Sequence, residues 1–425
     1  MSLKPFIDML EKLGKVEHVG NASLYYEAAL KEAATNNTIY INPKEINRPI
    51  IANVLNSQEK VALALNCKIE NIYTKFLSSV QQPKPPTTKK WTGYAKLKTL
   101  DELPIVTHFE KDLGPYITSS IIVAHALDES FSNMSVHRIR SLGVNRGVIR
   151  MVEGRHLHTI FNMKKNEDLK VAIIIGVHPA VELAAAYQAP WGTNELEIAQ
   201  SLMDGKLSVV RTPQHGILVP EAEYIVEGRI LKTEMEDDMM TEILGNYDHK
   251  RKQPIVLADA IWSKPNPLYW DVLPGGLEHK WLMGFPVESK LNKAVKDAVP
   301  NTTKVILTEG GSKWLHAVIQ LRKRLEGEPK NAMMAAFSAH PSLKSVTVVD
   351  EDIDPNDPLQ VEYALATRFQ AGDDILIIRK AKGSSLDPSS DQERLITDKL
   401  GLDATKPLDK NSTDFERAKI PMVGS

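Results

Sequence analysis

Apolar residues at Phe6, Met9, Leu10 and Leu13 recur at helical spacing in MSLKPFIDMLEKLGKV, which predicts an amphipathic opening helix packed on the body of the protein. NTIYINP then carries a strand pattern and NRPIIANVLNSQEKVALALN a helical one, so the first segment forms a small α/β unit. The prolines and lysines of QQPKPPTTKK, Gln81 to Lys90, interrupt the pattern and predict a linker. Between Pro115 and Glu227 the short runs ITSSIIVAHAL, GVIRMVE, LHTIFNM, VAIIIGV, SVVRTP and EAEYIVEGRI are rich in β-formers, a spacing that suggests a barrel. A helix around ELAAAYQA interrupts it. A second follows PWGTN, where Asn194 caps ELEIAQSLMDG and leaves Glu195 in the first turn. After Pro300 the alternation returns with KVILTEGG, a helix from Lys313 to Arg324, SVTVVDEDID, a helix in VEYALATRF and a strand in DDILIIRK.

These elements predict an α/β (α+β) protein in four parts. Residues 1–95 form an N-terminal α/β domain and 96–298 a β-barrel domain. Residues 299–400 form a doubly wound α/β domain and 401–425 a C-terminal arm, and the stretch from Lys382 onward, rich in Ser, Asp, Pro and Lys, reads as extended or partly disordered. A chain of 425 residues exceeds one ordinary core, which agrees with several domains. Composition then removes alternatives. Lys plus Arg number 52 against 54 for Asp plus Glu, so there is no broad basic field and nucleic acid is an unlikely partner. Cys67 is the single cysteine, which excludes disulfide frameworks and Cys-based zinc sites and fits a reducing, cytoplasmic setting. The N-terminus lacks the uninterrupted apolar block of a signal peptide, and no membrane span is expected.

Candidate chemistry concentrates between Asn133 and His156, NMSVHRIRSLGVNRGVIRMVEGRH, where an amide, imidazoles and several guanidinium groups surround a short apolar core. That mixture suits an anionic cofactor held through a metal. Glu195 in PWGTNE completes an Asn/His/Glu set of oxygen and nitrogen donors, of the kind that favours magnesium, manganese or potassium. Asp237 and Glu242 in DDMMTE add two carboxylates. Glu278 and His279 are adjacent in GLEHKWLMGFP, so they point in different directions, and a helix start packing Trp281, Leu282 and Met283 is the simpler reading.

The motifs NMSVHR, RMVEGRH, PWGTNE, VPEAEYIVEG, VVDEDID, LDPS and GLDAT, in that order over most of the chain, resemble the UbiD family of decarboxylases. The resemblance implies prenylated FMN on a split barrel, with a divalent metal (Mn2+ or Mg2+) and often K+. It implies that Asn133, His156 and Glu195 hold the metal, and that Val136, His137 and Arg138 contact the flavin. Arg150, Met151, Val152 and Arg155 fall where the family makes further cofactor contacts. Ala185 and Tyr187 lie near the potassium-binding stretch, and Lys330 in GEPKNAMM is a candidate phosphate lysine.

For the reacting centre the resemblance implies Arg138 with Asp237 and Glu242. A cycloaddition of an unsaturated acid onto the flavin is followed by CO2 loss, and Glu242 returns the proton. The chain departs from the family here: Asp238, Met239, Met240 and Thr241 replace the usual Gly-Pro-aromatic-Gly, while Gly245 and Tyr247 still follow. GGLEHKWLMGFP is closer to archaeal-type members, which implies trans-anhydromevalonate 5-phosphate as substrate, with an aromatic or cinnamic-type acid as the alternative. A flavin prenyltransferase as cofactor supplier and a homodimer or homohexamer are also implied. Two further readings stand beside these: an FMN-dependent oxidoreductase on a split barrel, and a flavin-binding scaffold without catalysis.

Overall fold

The computed structural model describes residues 2–126 and 131–418. Contacts divide the chain into two units, Met1–Pro286 and Val287–Ser425.

The first unit is organised by a nine-stranded sheet. Its order is Tyr116–Ile117, Ile139–Ser141, Arg146–Ile149, Arg251–Ser263, Tyr224–Asp238, Leu169–Ile175, Ile121–His125 and Ser132–Val136, with Ala95–Leu97 on a side branch. All its pairings are antiparallel. The register shifts between Glu227 and Gly228 and again between Ile230 and Met235, and such bulges bend and twist a strand, which lets the sheet curl. Gly228 belongs to the first bulge by necessity, because a Cβ there would stand 2.6 Å from the Leu257 carbonyl oxygen.

Side-chain alternation explains why the central strands are unbroken apolar runs. Ile121, Val123, Ala172 and Ile174 enter one core, which also takes Ala180, Leu183 and Leu196 from helices Pro179–Ala186 and Glu195–Leu202. Their neighbours Ile122, Ala124, Val171 and Ile173 enter a second core with Leu157, Ile160 and Phe161. A strand covered on both faces has no polar face to show. LHTIFNM is not a strand but part of helix His156–Met163, whose buried Leu157, Ile160 and Phe161 follow helical spacing.

The opening helix Leu3–Lys12 buries Leu3, Phe6, Ile7 and Leu10, while Leu13 is 51% exposed. It docks on the body, with Phe6 edge-on to His178 at 5.7 Å. The N-terminal sheet runs Val16–Ala22, Thr38–Pro43, Ile50–Ala52 and Tyr269–Trp270, so its fourth strand comes from far along the chain. Within the expected linker, Thr87–Lys89 forms a short strand parallel to Ser208–Arg211.

In the second unit the sheet order is Thr302–Leu307, His316–Leu321, Ser345–Asp350, Ile396–Ala404 and Ile375–Lys382, with parallel pairings inside and antiparallel ones at both edges. The helix expected from Lys313 to Arg324 is therefore strand His316–Leu321. Ala317, Ile319 and Leu321 enter the core under helix Glu328–Ala339, and Val318 enters the opposite one with Val361 and Ala364 of helix Pro358–Arg368. The segment from Gly401 begins as the end of strand Ile396–Ala404 rather than as a tail, and residues 419–425 lie outside the described residues. Among the described residues no helix is long and apolar enough to cross a membrane.

Burial also fixes a pH response. His178 accepts a hydrogen bond from the Ala180 N–H at 3.2 Å, and burial pushes its imidazole down to about 4; His340 in the second unit is likewise pushed down to about 4. A histidine held neutral stabilises the fold fully above its unfolded value of about 6.5, and that contribution is lost as pH falls toward the folded value. The share these two histidines contribute is lost between about pH 6.5 and 4, up to about 3 kcal/mol each. In a pH series of melting curves, His340→Gln is expected to lose less of its midpoint than the parent across that window; equal losses would contradict this.

Candidate active site

Strand Ser132–Val136 alternates its side chains, so Met134 enters the core while Asn133 and Ser135 share the other face. Two eight-residue helices begin beside it, one at His156 and one at Glu195. Asn194 caps the second by accepting the Leu196 N–H at 3.1 Å, which fixes the turn that carries Glu195. Glu195 is 1% exposed. Its Oε2 accepts the Met134 N–H at 2.9 Å, Oε1 accepts from the Asn133 amide at 3.3 Å, and His156 Nδ1 stands 4.0 Å away. Asn133, His156 and Glu195 are thus brought together.

Burial pushes the Glu195 carboxyl up to about 7, against the lowering effect of those hydrogen bonds. A buried carboxylate short of counter-charge, beside an imidazole and an amide, fits a divalent cation. Among the described residues no group of three His, Cys, Asp or Glu forms a metal cluster, and this trio reaches three donors only through its asparagine. Trp191 stands edge-on to His156 at 5.2 Å and to Phe131 at 5.0 Å.

The same strand leads to the second group of residues. Burial pushes His137 down to about 4, so its neutral ring donates from Nδ1 to the Arg150 carbonyl at 2.8 Å and accepts at Nε2 from the Ser135 hydroxyl at 2.9 Å. Arg138 donates from Nη2 to Glu242 Oε1 at 2.8 Å and from Nη1 to the Thr241 carbonyl. Arg150 donates to Asp248 Oδ2 at 3.2 Å, and its Nε is buried with no protein partner, a donor open to a ligand. Burial, with Arg251 next, holds the Arg150 guanidinium below its ordinary value.

Glu242 and Asp248 come from one hairpin. The Glu242 N–H reaches the Asn246 carbonyl and the Gly245 N–H the Glu242 carbonyl, both at 2.8 Å, with Gly245 at φ +81°. Gly275 packs against that turn so closely that a Cβ would lie 2.9 Å from the Gly245 Cα.

Asp237 is not part of this cluster. It stands on the outer face of its strand, ion-paired at 3.1 Å with both Lys250 and Lys252, which hold its carboxyl below the usual range. Strand alternation turns the neighbouring Asp238 inward instead, where Oδ1 accepts from Arg140 Nε at 3.0 Å and lies 2.8 Å from the Tyr116 hydroxyl. The expectation that Asp237 joins Arg138 fails because adjacent strand residues face opposite sides.

The remaining expected contacts are scattered. Val136 packs on the first core, Met151 is buried with its N–H on Gln253 Oε1 at 2.8 Å, and Val152 is exposed. Arg155 is exposed immediately before helix His156–Met163. Ala185 and Tyr187 sit at the end of helix Pro179–Ala186, with Tyr187 edge-on to Phe76 at 5.7 Å. Lys330 is exposed on helix Glu328–Ala339 of the second unit.

Glu278 and His279 do diverge at the start of helix Leu277–Ala298: Glu278 accepts the Leu55 N–H at 2.6 Å, and His279 accepts the Gly275 N–H at 3.0 Å. Burial, with the Arg138 charge next, pushes His279 down to about 3.

The description 3-octaprenyl-4-hydroxybenzoate carboxy-lyase Rift-related domain matches residues 78–277, and the corresponding C-terminal domain matches residues 280–404. This chain belongs to the UbiD family. Among its UbiD relatives, the anhydromevalonate phosphate decarboxylase of Methanocaldococcus jannaschii is 45% identical over 392 residues, covering 90% of this chain and 92% of the relative. The enzyme of the same name from Methanothermobacter thermautotrophicus is 40% identical over 419 residues, covering 96% and 98%. The UbiD-class enzyme HmfF from Pelotomaculum thermopropionicum, solved in complex with FMN, superposes with a TM-score of 0.95 at 35% identity, covering 99% of this chain and 98% of that one. An evolved dimeric form of HmfF, solved with prenylated FMN, gives a TM-score of 0.90 at 33% identity over 99% and 97%. Every UbiD site residue expected above except Lys330 lies within the first matched segment.

Proposed function

We propose that this carboxy-lyase removes CO2 without net oxidation from trans-anhydromevalonate 5-phosphate, using prenylated FMN. The reading rests on the Arg138–Glu242 pair, a guanidinium and an acid 2.8 Å apart and largely buried, two residues along the chain from the strand that carries Asn133. The phosphorylated substrate is the one named for the archaeal relatives.

When bound, prenylated FMN supplies the electron sink for the carbanion left by CO2. Asn133, His156 and Glu195 would hold a manganese or magnesium ion that anchors the cofactor, Arg155 would offset its phosphate charge, and Arg150 would contact the flavin. Val136, His137 and Met151 shape the neighbouring wall, with the stretch at Ala185 and Tyr187 assigned to K+. Arg138 takes the substrate carboxylate, which requires Glu242 to release it. Glu242 then returns a proton to the carbon that carried the carboxylate. Cofactor supply by a flavin prenyltransferase, assembly as a homodimer or homohexamer and a cytoplasmic setting complete the proposal.

The test is CO2 release from trans-anhydromevalonate 5-phosphate by protein loaded with prenylated FMN, with gallate as the competing aromatic acid. Turnover of the phosphorylated acid alone is expected. Turnover of gallate alone would overturn the substrate assignment.

A further inference from the structure

Arg138 and Arg150 face each other across two strands. Val148 pairs with Arg140 and Ile149 with Ile139, so Arg150 stands opposite Arg138, and its N–H reaches the Arg138 carbonyl at 3.0 Å. Directly opposed residues in an antiparallel pair have Cβ atoms about 5 Å apart, and like charges there repel. The hairpin that follows strand Tyr224–Asp238 answers both charges at once. Thr241 and Tyr247 bridge its two arms, so Glu242 reaches Arg138 from one arm while Asp248 reaches Arg150 from the other. All four side chains are equally secluded, at 14–15% exposure.

The other carboxylates nearby are committed elsewhere. Asp237 is tied to Lys250 and Lys252 at the surface, and Asp238 to Arg140. Asp112 accepts the N–H groups of His108 and Phe109 through its Oδ2. Asp248 alone of these spans two guanidinium groups, with Oδ2 on Arg150 and Oδ1 on the more exposed Arg251.

Resting on the decarboxylase reading, we propose that Asp248 is the second acid of the reacting centre, a positioning residue that holds Arg150 and neutralises it. Asp248 sets its carboxylate against Arg150 and the more exposed Arg251, which leaves Arg138 as the guanidinium that takes the substrate carboxylate. Without the Asp248 charge, a second unpaired guanidinium faces the site. The acid substrate is then held more tightly, and Glu242 is drawn from Arg138 toward Arg150, away from the carbon it serves.

The test compares Asp248→Asn, Asp248→Glu and Asp237→Asn in protein loaded with prenylated FMN, with kcat expressed per bound flavin. Asp248→Asn is expected to lower kcat at least tenfold and KM at least threefold, a split that loss of folding does not produce. Asp248→Glu is expected to restore kcat to within about threefold of the parent, and Asp237→Asn to leave both constants within twofold. Unchanged constants in Asp248→Asn, a KM that rises as kcat falls, or an equal kcat loss in Asp237→Asn would each overturn the proposal. If Asp248→Asn does not fold, failure of a folded Asp248→Glu to retain kcat overturns it. An inactive parent protein would overturn the decarboxylase reading itself, and this inference with it.

Discussion

Glu242→Gln is expected to lower kcat by about a thousandfold, within the range that a general acid contributes, while the protein keeps its flavin. The amide still hydrogen-bonds Arg138, whose guanidinium now stands 2.8 Å from the carboxylate, but it has no proton to return after CO2 leaves. Single-turnover experiments check this, because the substituted protein should still consume substrate into a bound form while releasing product slowly. Stopped-flow absorbance of the flavin and quantified CO2 separate the two events. Parent-like turnover in Glu242→Gln would remove the glutamate from the reaction.

The second large effect is on retention of the cofactor. Glu195→Ala removes the acceptor of the Met134 N–H and the partner of both Asn133 and His156, so the proposed cation site loses its one carboxylate. Flavin affinity is expected to weaken by about a hundredfold or more, with metal content falling in step. Because the proposed metal would anchor the cofactor rather than act on the breaking bond, any Glu195→Ala protein that still holds flavin should keep much of its kcat per flavin. Equal flavin loss in Glu195→Ala and Glu242→Gln would contradict the division of roles between the two acids.

The difference between the two acids was legible in the chain because different physical cues mark them. Asn194 before an apolar run announces a helix start, and the structure does put Glu195 in that first turn, facing Asn133 and His156. Glu242 was assigned through the resemblance, by its spacing from Asp237 and by Gly245 and Tyr247 after it, since a carboxylate in a hairpin has no periodic signature. Asp237 shows the cost of spacing without orientation. In the doublet Asp237-Asp238 one side chain must face water and the other the interior, and the register shift before Met235 decides which. Asp248 left no mark at all, because its partner Arg150 lies 98 positions away and only folding brings the two together.

The fold was readable to a similar depth. LHTIFNM has strand-like composition, yet Leu157, Ile160 and Phe161 fall on one helical face. The stretch around His316–Leu321 has both strand faces buried, and such a run matches a buried helix equally well until its packing is known. The pairing of Tyr269–Trp270 with Ile50–Ala52 joins segments more than two hundred residues apart, which no local pattern reports.

The most direct test of this account is mass spectrometry of the small molecules released from the protein after co-expression with a flavin prenyltransferase, with metal analysis of the same sample. The account predicts prenylated FMN together with manganese or magnesium in near-equal amounts, both lost in Glu195→Ala. Protein that emerges from competent co-expression without flavin, or with unmodified FMN alone, would contradict it.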